Sequence, residues 1–188
     1  MSHLPDQRRK GRALRPARRI FFLTALLVLV ADIATKRVVA TTFYPHEVRQ
    51  VFGDWVRLTY IHNPGAAFGL FPGSRLALIV VSMAAVAVVT AVAWRKRGRL
   101  DVLPLGLILG GAVGNLIDRV RLGEVVDFVQ IGIPPENYWP VFNVADSAVT
   151  VGVAWLAFTL LRSGRTEPVS GMAPEEQIAP VASPGDER

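Results

Sequence analysis

Four stretches of the chain, 20–40, 76–94, 102–117 and 144–161, are apolar almost throughout. Each covers roughly 16 to 21 residues, and at ~1.5 Å of rise per residue a helix of that length approaches or matches the ~30 Å hydrocarbon core of a bilayer. The predicted fold class is therefore membrane all-α, a four-transmembrane-helix bundle. Composition agrees: 51% of the 188 residues are hydrophobic, which is unusual for a soluble domain of this size.

The basic residues give the bundle a direction, because Lys and Arg beside short loops stay on the cytoplasmic side. The first nineteen residues hold seven of them (Arg8, Arg9, Lys10, Arg12, Arg15, Arg18 and Arg19) against one acid, Asp6. Arg95, Lys96, Arg97 and Arg99 lie between spans two and three, and Arg162 and Arg165 follow span four. Both termini are predicted to be cytoplasmic, with the loops from about 37 to 75 and from about 118 to 142 facing outward. The reading divides the chain into a disordered basic arm, 1–19, a membrane domain, 20–161, and a disordered tail, 162–188, rich in Pro, Ser, Gly and acids. The arm alone accounts for the formal charge of +6, since fourteen bases face fourteen acids elsewhere. Beside a span, such an arm fixes topology and touches anionic lipid; nucleic acid is not expected as a partner.

The start of the chain also imitates a secretory signal, but three further spans and the ionisable Asp32 argue for a retained anchor. Absence of cysteine excludes thiol catalysis, disulfides and Cys-ligated metal. His3, His46 and His62 have no recognisable metal spacing, so neither metal nor cofactor is expected.

In the first outward segment, Val56, Leu58 and Tyr60 alternate with Arg57, Thr59 and Ile61, a partial period of two that predicts a short strand. The strand runs into HNPGAAFGLFPGS, where glycine and proline enforce tight turns. A small extracytoplasmic β platform is the expectation. The second outward loop, about 121–142, carries Phe128, Ile131, Ile133, Tyr138 and Trp139 and is expected to lie against the membrane at headgroup level. In the third span, Gly106, Gly110 and Gly114 form a stripe suited to close helix packing. Asn115, Asp118 and Arg119 share a face at that helix's outer end.

Chemistry is suggested by Asp127 in VVDF and Asp146 in FNVADS, both assigned to the outer surface. A carboxylate near hydrocarbon is costly to keep charged, so it suggests function. If the two face each other, one holds a proton near neutral pH; one carboxylate can then deprotonate water while the other protonates an amide carbonyl. A plainer reading stands beside this one: Asn143 caps the fourth helix and Asp146 sits in its first turn, with no catalysis required. No GxSxG elbow is present, and a serine–lysine dyad of Ser147 and Lys36 is disfavoured because Lys36 is the i+4 partner of Asp32. Two other classes are conceivable, a proton-coupled permease using Asp32, Asp118 and Arg119, and a non-enzymatic membrane assembly factor.

The ordered set DIATK, NPGAAFG, GGAVGNLIDR, VVDF and FNVADS resembles the lipoprotein signal peptidases, also called signal peptidase II, over about residues 20–161. The resemblance implies an aspartic endopeptidase of the bacterial cytoplasmic membrane. It would remove signal peptides from diacylglyceryl-modified prolipoproteins by cleaving before the lipidated cysteine. Its catalytic pair matches Asp127 and Asp146, and its supporting or substrate-holding positions match Asp32, Lys36, Asn63, Gly65, Asn115, Arg119 and Asn143. The implied partners are the lipid-modified precursor and membrane lipids, with a monomer expected. Asn63 and Asn115 are expected to hydrogen-bond substrate backbone. Arg119 is left between Asp118, a loop carbonyl and a lipid phosphate, and Asp32 between helix packing and the edge of the site.

Overall fold

The computed structural model describes residues 7–65, 75–95, 99–135 and 137–163. In chain order the elements are α1 (Gln7–Thr42), β1 (Val48–Phe52), β2 (Val56–Asn63), α2 (Arg75–Arg95), α3 (Arg99–Arg121), β3 (Val125–Ile133), β4 (Asn137–Tyr138) and α4 (Val144–Ser163). Three segments, Arg75–Arg95, Val102–Arg121 and Val144–Arg162, are long and apolar enough to cross a membrane. In α1 the apolar stretch is interrupted by Asp32, Lys36 and Arg37.

The third helix is the hub. Its apolar window is 56% buried, against 11% for those of α2 and α4, because α3 packs against all three other helices. Phe21 and Ala25 of α1, Ala93 of α2, and Val102, Leu105 and Leu109 of α3 form the core. The outer faces of α2 and α4 instead expose Val80, Val81, Met83, Val88, Val151, Phe158 and Leu160. Helices apolar on their outer face suit a lipid environment and not an aqueous one.

The glycine stripe faces α1, as its spacing predicts. A Cβ added at Gly110 would stand 2.5 Å from the carbonyl oxygen of Ala25 and 2.7 Å from Cβ of Val28, so the two backbones approach only because the side chain is missing. Gly123 closes the helix: its N–H donates to the Arg119 carbonyl at 3.2 Å, and its φ of +86° is the left-handed conformation typical of a helix C-terminus. Arg75, at the start of α2, donates to the carbonyls of Arg119 and Val120 at 3.1 and 2.6 Å, using acceptors that the end of α3 leaves open.

Two expectations need correction. Residues 7–19, read as part of a disordered arm, are the first turns of α1. Hydropathy marks where a helix can enter lipid, not where it starts, and the Arg, Ala and Leu of this stretch are good helix formers. The segment 121–142, read as a loop, instead supplies β3 and β4. Its period was hidden because Val125, Val126, Asp127 and Phe128 are all buried, so the strand begins without alternating faces. The four strands form one antiparallel sheet in the order β1-β2-β3-β4. The turn-rich run 66–74 and the tail 164–188 lie outside the described residues.

Candidate active site

Sheet register places the first carboxylate. Asp127 pairs with Ile61 across β2 and β3, while Asn63 lies two residues along β2 and so projects from the same face as Ile61. Asn63 Nδ2 donates to Asp127 Oδ2 at 2.9 Å. The other end of that amide is fixed locally, because the N–H of Gly65 donates to Asn63 Oδ1 at 3.0 Å in an Asx-type turn. One residue earlier, His62 Nδ1 lies 3.1 Å from Glu124 Oε2 and its Nε2 lies 2.7 Å from the Tyr60 hydroxyl, pinning the end of β2 to the start of β3.

A second tie brings α4 to the sheet. The N–H of Val129 donates to the Phe142 carbonyl at 2.8 Å and the N–H of Phe142 returns to the Val129 carbonyl at 2.9 Å. The next residue, Asn143, is fully buried and caps α4: its Oδ1 accepts the N–H of Asp146 at 2.9 Å, and its own N–H donates to Asp146 Oδ2 at 3.3 Å. This is the reciprocal capping box that the sequence suggested. Its amide nitrogen also lies 2.7 Å from Asp127 Oδ1, 3.1 Å from Asn115 Oδ1 and 3.2 Å from the Val126 carbonyl, donating toward all three. Asn115 Nδ2 donates to Asp146 Oδ1 at 2.8 Å. One asparagine thus binds both aspartates, and a second braces Asp146.

Beneath this pair lies a buried ionic cluster. Lys36 Nζ stands 2.7 Å from Asp32 Oδ2 and 2.8 Å from Asp118 Oδ2, and it donates to Asn115 Oδ1 at 3.0 Å. Three acceptors surround the three protons of the ammonium, as a buried cation requires. Asp32, with no exposed surface, accepts the N–H of Ala145 at 3.0 Å and so anchors the first turn of α4 from α1. Through that contact Asp32 is bonded to the helix that carries Asp146.

The site is electrostatically uneven. Burial, the largest cause, raises Asp127 from the usual carboxylate value of 3.8 to about 6, and the negative charge of Asp146 pushes the same way. Hydrogen bonds from Asn63 and Asn143 and the charge of Lys36 oppose the rise without cancelling it. Asp146 is only half-buried, and each of its oxygens accepts an N–H.

All nine residues singled out by sequence therefore fall in one region. Asn63 donates to Asp127 and Asn115 to Asp146. Arg119 does not pair with Asp118, which Lys36 has taken; its Nη1 lies 3.4 Å from the Ser82 hydroxyl, and its buried Nε has no hydrogen-bond partner among the described residues. Sequence reasoning missed Asp118 as a site component, although its spacing from Asn115 was visible. Asp118 also accepts the N–H of Val126 at 3.3 Å, one residue before Asp127. Among the described residues, no group of three or more His, Asp or Glu is placed to hold a metal ion.

Comparison with known proteins gives the geometry its context. The family profile described as signal peptidase (SPase) II matches residues 24–162, which includes every residue of the network above. The chain belongs to the signal peptidase II family. It is similar to the lipoprotein signal peptidase of Moorella thermoacetica, 46% identical over 145 residues that cover 75% of this chain and 92% of that one. A similar relation holds to the lipoprotein signal peptidase of Syntrophus aciditrophicus, 40% identical over 150 residues that cover 76% and 92% of the two chains. Among solved structures it resembles a bacterial membrane enzyme determined in meso at 2.3 Å resolution, with a TM-score of 0.74 and 28% identity over 81% of this chain and 94% of that one. Family membership makes the protein a protease, and its apolar helices agree with a bacterial membrane location.

Proposed function

We propose that the protein removes signal peptides from lipid-modified prolipoproteins by aspartic catalysis, with Asp127 and Asp146 as the catalytic pair. The observation that carries this reading is the shared contact with Asn143, which binds Asp127 through its side chain and Asp146 through its cap. With Asp127 raised to about 6, its neutral form, the one that can donate a proton, is substantially populated in mildly acidic conditions. Asp146 takes a proton from water as the water oxygen attacks the scissile carbonyl carbon, and Asp127 gives its proton to the carbonyl oxygen. As the tetrahedral intermediate collapses, the C–N bond breaks, Asp146 passes its proton to the departing amine, and Asp127 takes a proton back from a hydroxyl of the intermediate, which restores the starting pair. Asn63, Gly65, Asn115 and Asn143 orient the pair, while Asp32 and Lys36 hold the helices that carry it. Arg119, whose Nε has no hydrogen-bond partner among the described residues, is the residue suited to meet a substrate carbonyl or phosphate.

In this reading α1 is a fourth span, with Asp32 and Lys36 paired to each other inside the bundle and Lys36 also paired to Asp118 of α3. The membrane domain comprises residues 20–161, and the flanking segments 1–19 and 162–188 are cytoplasmic. The aspartates and the sheet lie at the outer face. Basic residues at the opposite helix ends support that orientation. The substrate reaches the site sideways from the bilayer, carrying its diacylglyceryl group, and is cut before the modified cysteine by a single copy of the chain. The test is cleavage of a lipid-modified precursor by purified protein in detergent: Asp127→Asn and Asp146→Asn should each lose activity by at least about a thousandfold, as loss of a general acid or base predicts. Undiminished cleavage by either variant would overturn the assignment.

A further inference from the structure

At the end of the bundle remote from the aspartates, one face of α1 carries an open groove of about 430 Å³ lined by Arg18, Arg19, Phe22, Leu23 and Leu26. Arg18 is fourteen residues before Asp32, so the groove is separated from the acidic cluster by about 21 Å of helix. Its chemistry is graded. Both cations are at the rim, and the three apolar residues descend along α1 at helical spacing. Phe22, Leu23 and Leu26 are each about half exposed, at 48%, 57% and 54%.

The rim is held in place. The Arg18 guanidinium stacks on Trp94 with its Cζ 4.3 Å from the ring centroid, and Trp94 in turn meets Phe22 edge-on at 6.5 Å. Stacking uses the guanidinium's face but leaves its edge, and Arg18 Nε is buried without a hydrogen-bond partner among the described residues. A buried donor of this kind needs an acceptor, and a charged oxygen is the strongest. Tryptophan at this level marks the headgroup region, where a phosphate would sit.

From this juxtaposition we infer that Arg18, Arg19 and the groove below them form a binding site for one anionic phospholipid, its phosphate on the arginines and an acyl chain along Phe22, Leu23 and Leu26. Neither part suffices alone: the arginines match the phosphate in charge, and the apolar stripe continues downward from them as a lipid chain does. The site needs the protein to lie in a membrane, but it does not depend on the catalytic reading.

Native mass spectrometry of the full-length protein, titrated with phosphatidylglycerol or phosphatidylcholine of matched chains, tests it. The protein should retain phosphatidylglycerol over phosphatidylcholine by about tenfold or more. Arg18→Gln combined with Arg19→Gln should abolish the preference, whereas Arg162→Gln, at the end of α4, should keep it. Cleavage activity of the double variant reports its folding; should it fail to fold, Arg19→Gln alone, at an exposed position, should still reduce the preference about threefold. Inorganic phosphate at millimolar concentration should not displace the lipid, and Phe22→Ala with Leu23→Ala should weaken retention of long-chain phosphatidylglycerol more than of a six-carbon-chain form. Equal retention of the two lipids, a preference that survives loss of the arginines, an equal loss in Arg162→Gln or displacement by phosphate would each overturn the site.

Discussion

The side-chain amide of Asn143 donates to Asp127 Oδ1 at 2.7 Å, so the residue that caps α4 also holds the carboxylate of β3. Replacing it with alanine removes both functions. Asn143→Ala should lower thermal stability by about 1 kcal/mol, the usual cost of a lost N-cap. Its cleavage rate should fall much further, by about a hundredfold, because both aspartates lose their shared support. A stability loss with an unchanged rate constant would reduce Asn143 to a helix cap.

Acid dependence follows from the environment of Asp127. Its raised value means that the neutral form predominates below about pH 6 and is lost above it. If Asp127 is the proton donor, kcat/KM should decline by about tenfold per pH unit on the basic side of pH 6, and should also fall at lower pH when the pair takes its second proton. Asn63→Ala removes a hydrogen bond that favours the charged form, so the basic limb should move to higher pH. A shift in the opposite direction would assign the donor role elsewhere.

Lys36 is the counter-ion of two buried acids. Lys36→Met leaves Asp32 and Asp118 facing each other through a neutral side chain, and should destabilise the fold by about 3 kcal/mol or more. Thermal unfolding in detergent measures the loss, and Asp118→Asn in the same background should restore part of it.

The packing of α3 on α4 can be tested apart from the chemistry. A Cβ at Gly111 would run into the carbonyl oxygen of Ala145, in the first turn of α4. Gly111→Ala should therefore cost about 1 to 3 kcal/mol through overpacking. It should also reduce cleavage, since Ala145 adjoins Asp146. A melting temperature equal to that of the unsubstituted protein would show that the helices can separate freely here.

Much of this arrangement was legible in the chain. The three apolar helices α2, α3 and α4, the Asp32–Lys36 pairing, the packing role of Gly110 and the Asn143 cap all follow from local spacing, where a single helix decides the outcome. What stayed hidden depends on elements distant in sequence. Nothing local signals that Asp118 joins Lys36, or that Asn63 bonds Asp127 across 64 positions; those contacts require the sheet to form and α3 to dock on α1. The strand β3 was obscured for a related reason, since burial of both faces at its start erases the alternation that identifies a half-exposed strand. For Arg119 the sequence leaves Asp118, a loop carbonyl and a lipid phosphate open, and Lys36 occupies the first of these in the structure.

Phe142 joins a structure outside the apolar helices to one within them, since its backbone bonds to β3 and its successor begins α4. Asp127 is therefore carried by the sheet and Asp146 by a helix, and Asn143, which follows Phe142, bonds to both. A bilayer of unsuitable thickness tilts helices more readily than it bends a hydrogen-bonded sheet. Any tilt of α4 would therefore reach Asp127 through the Phe142–Asn143 junction.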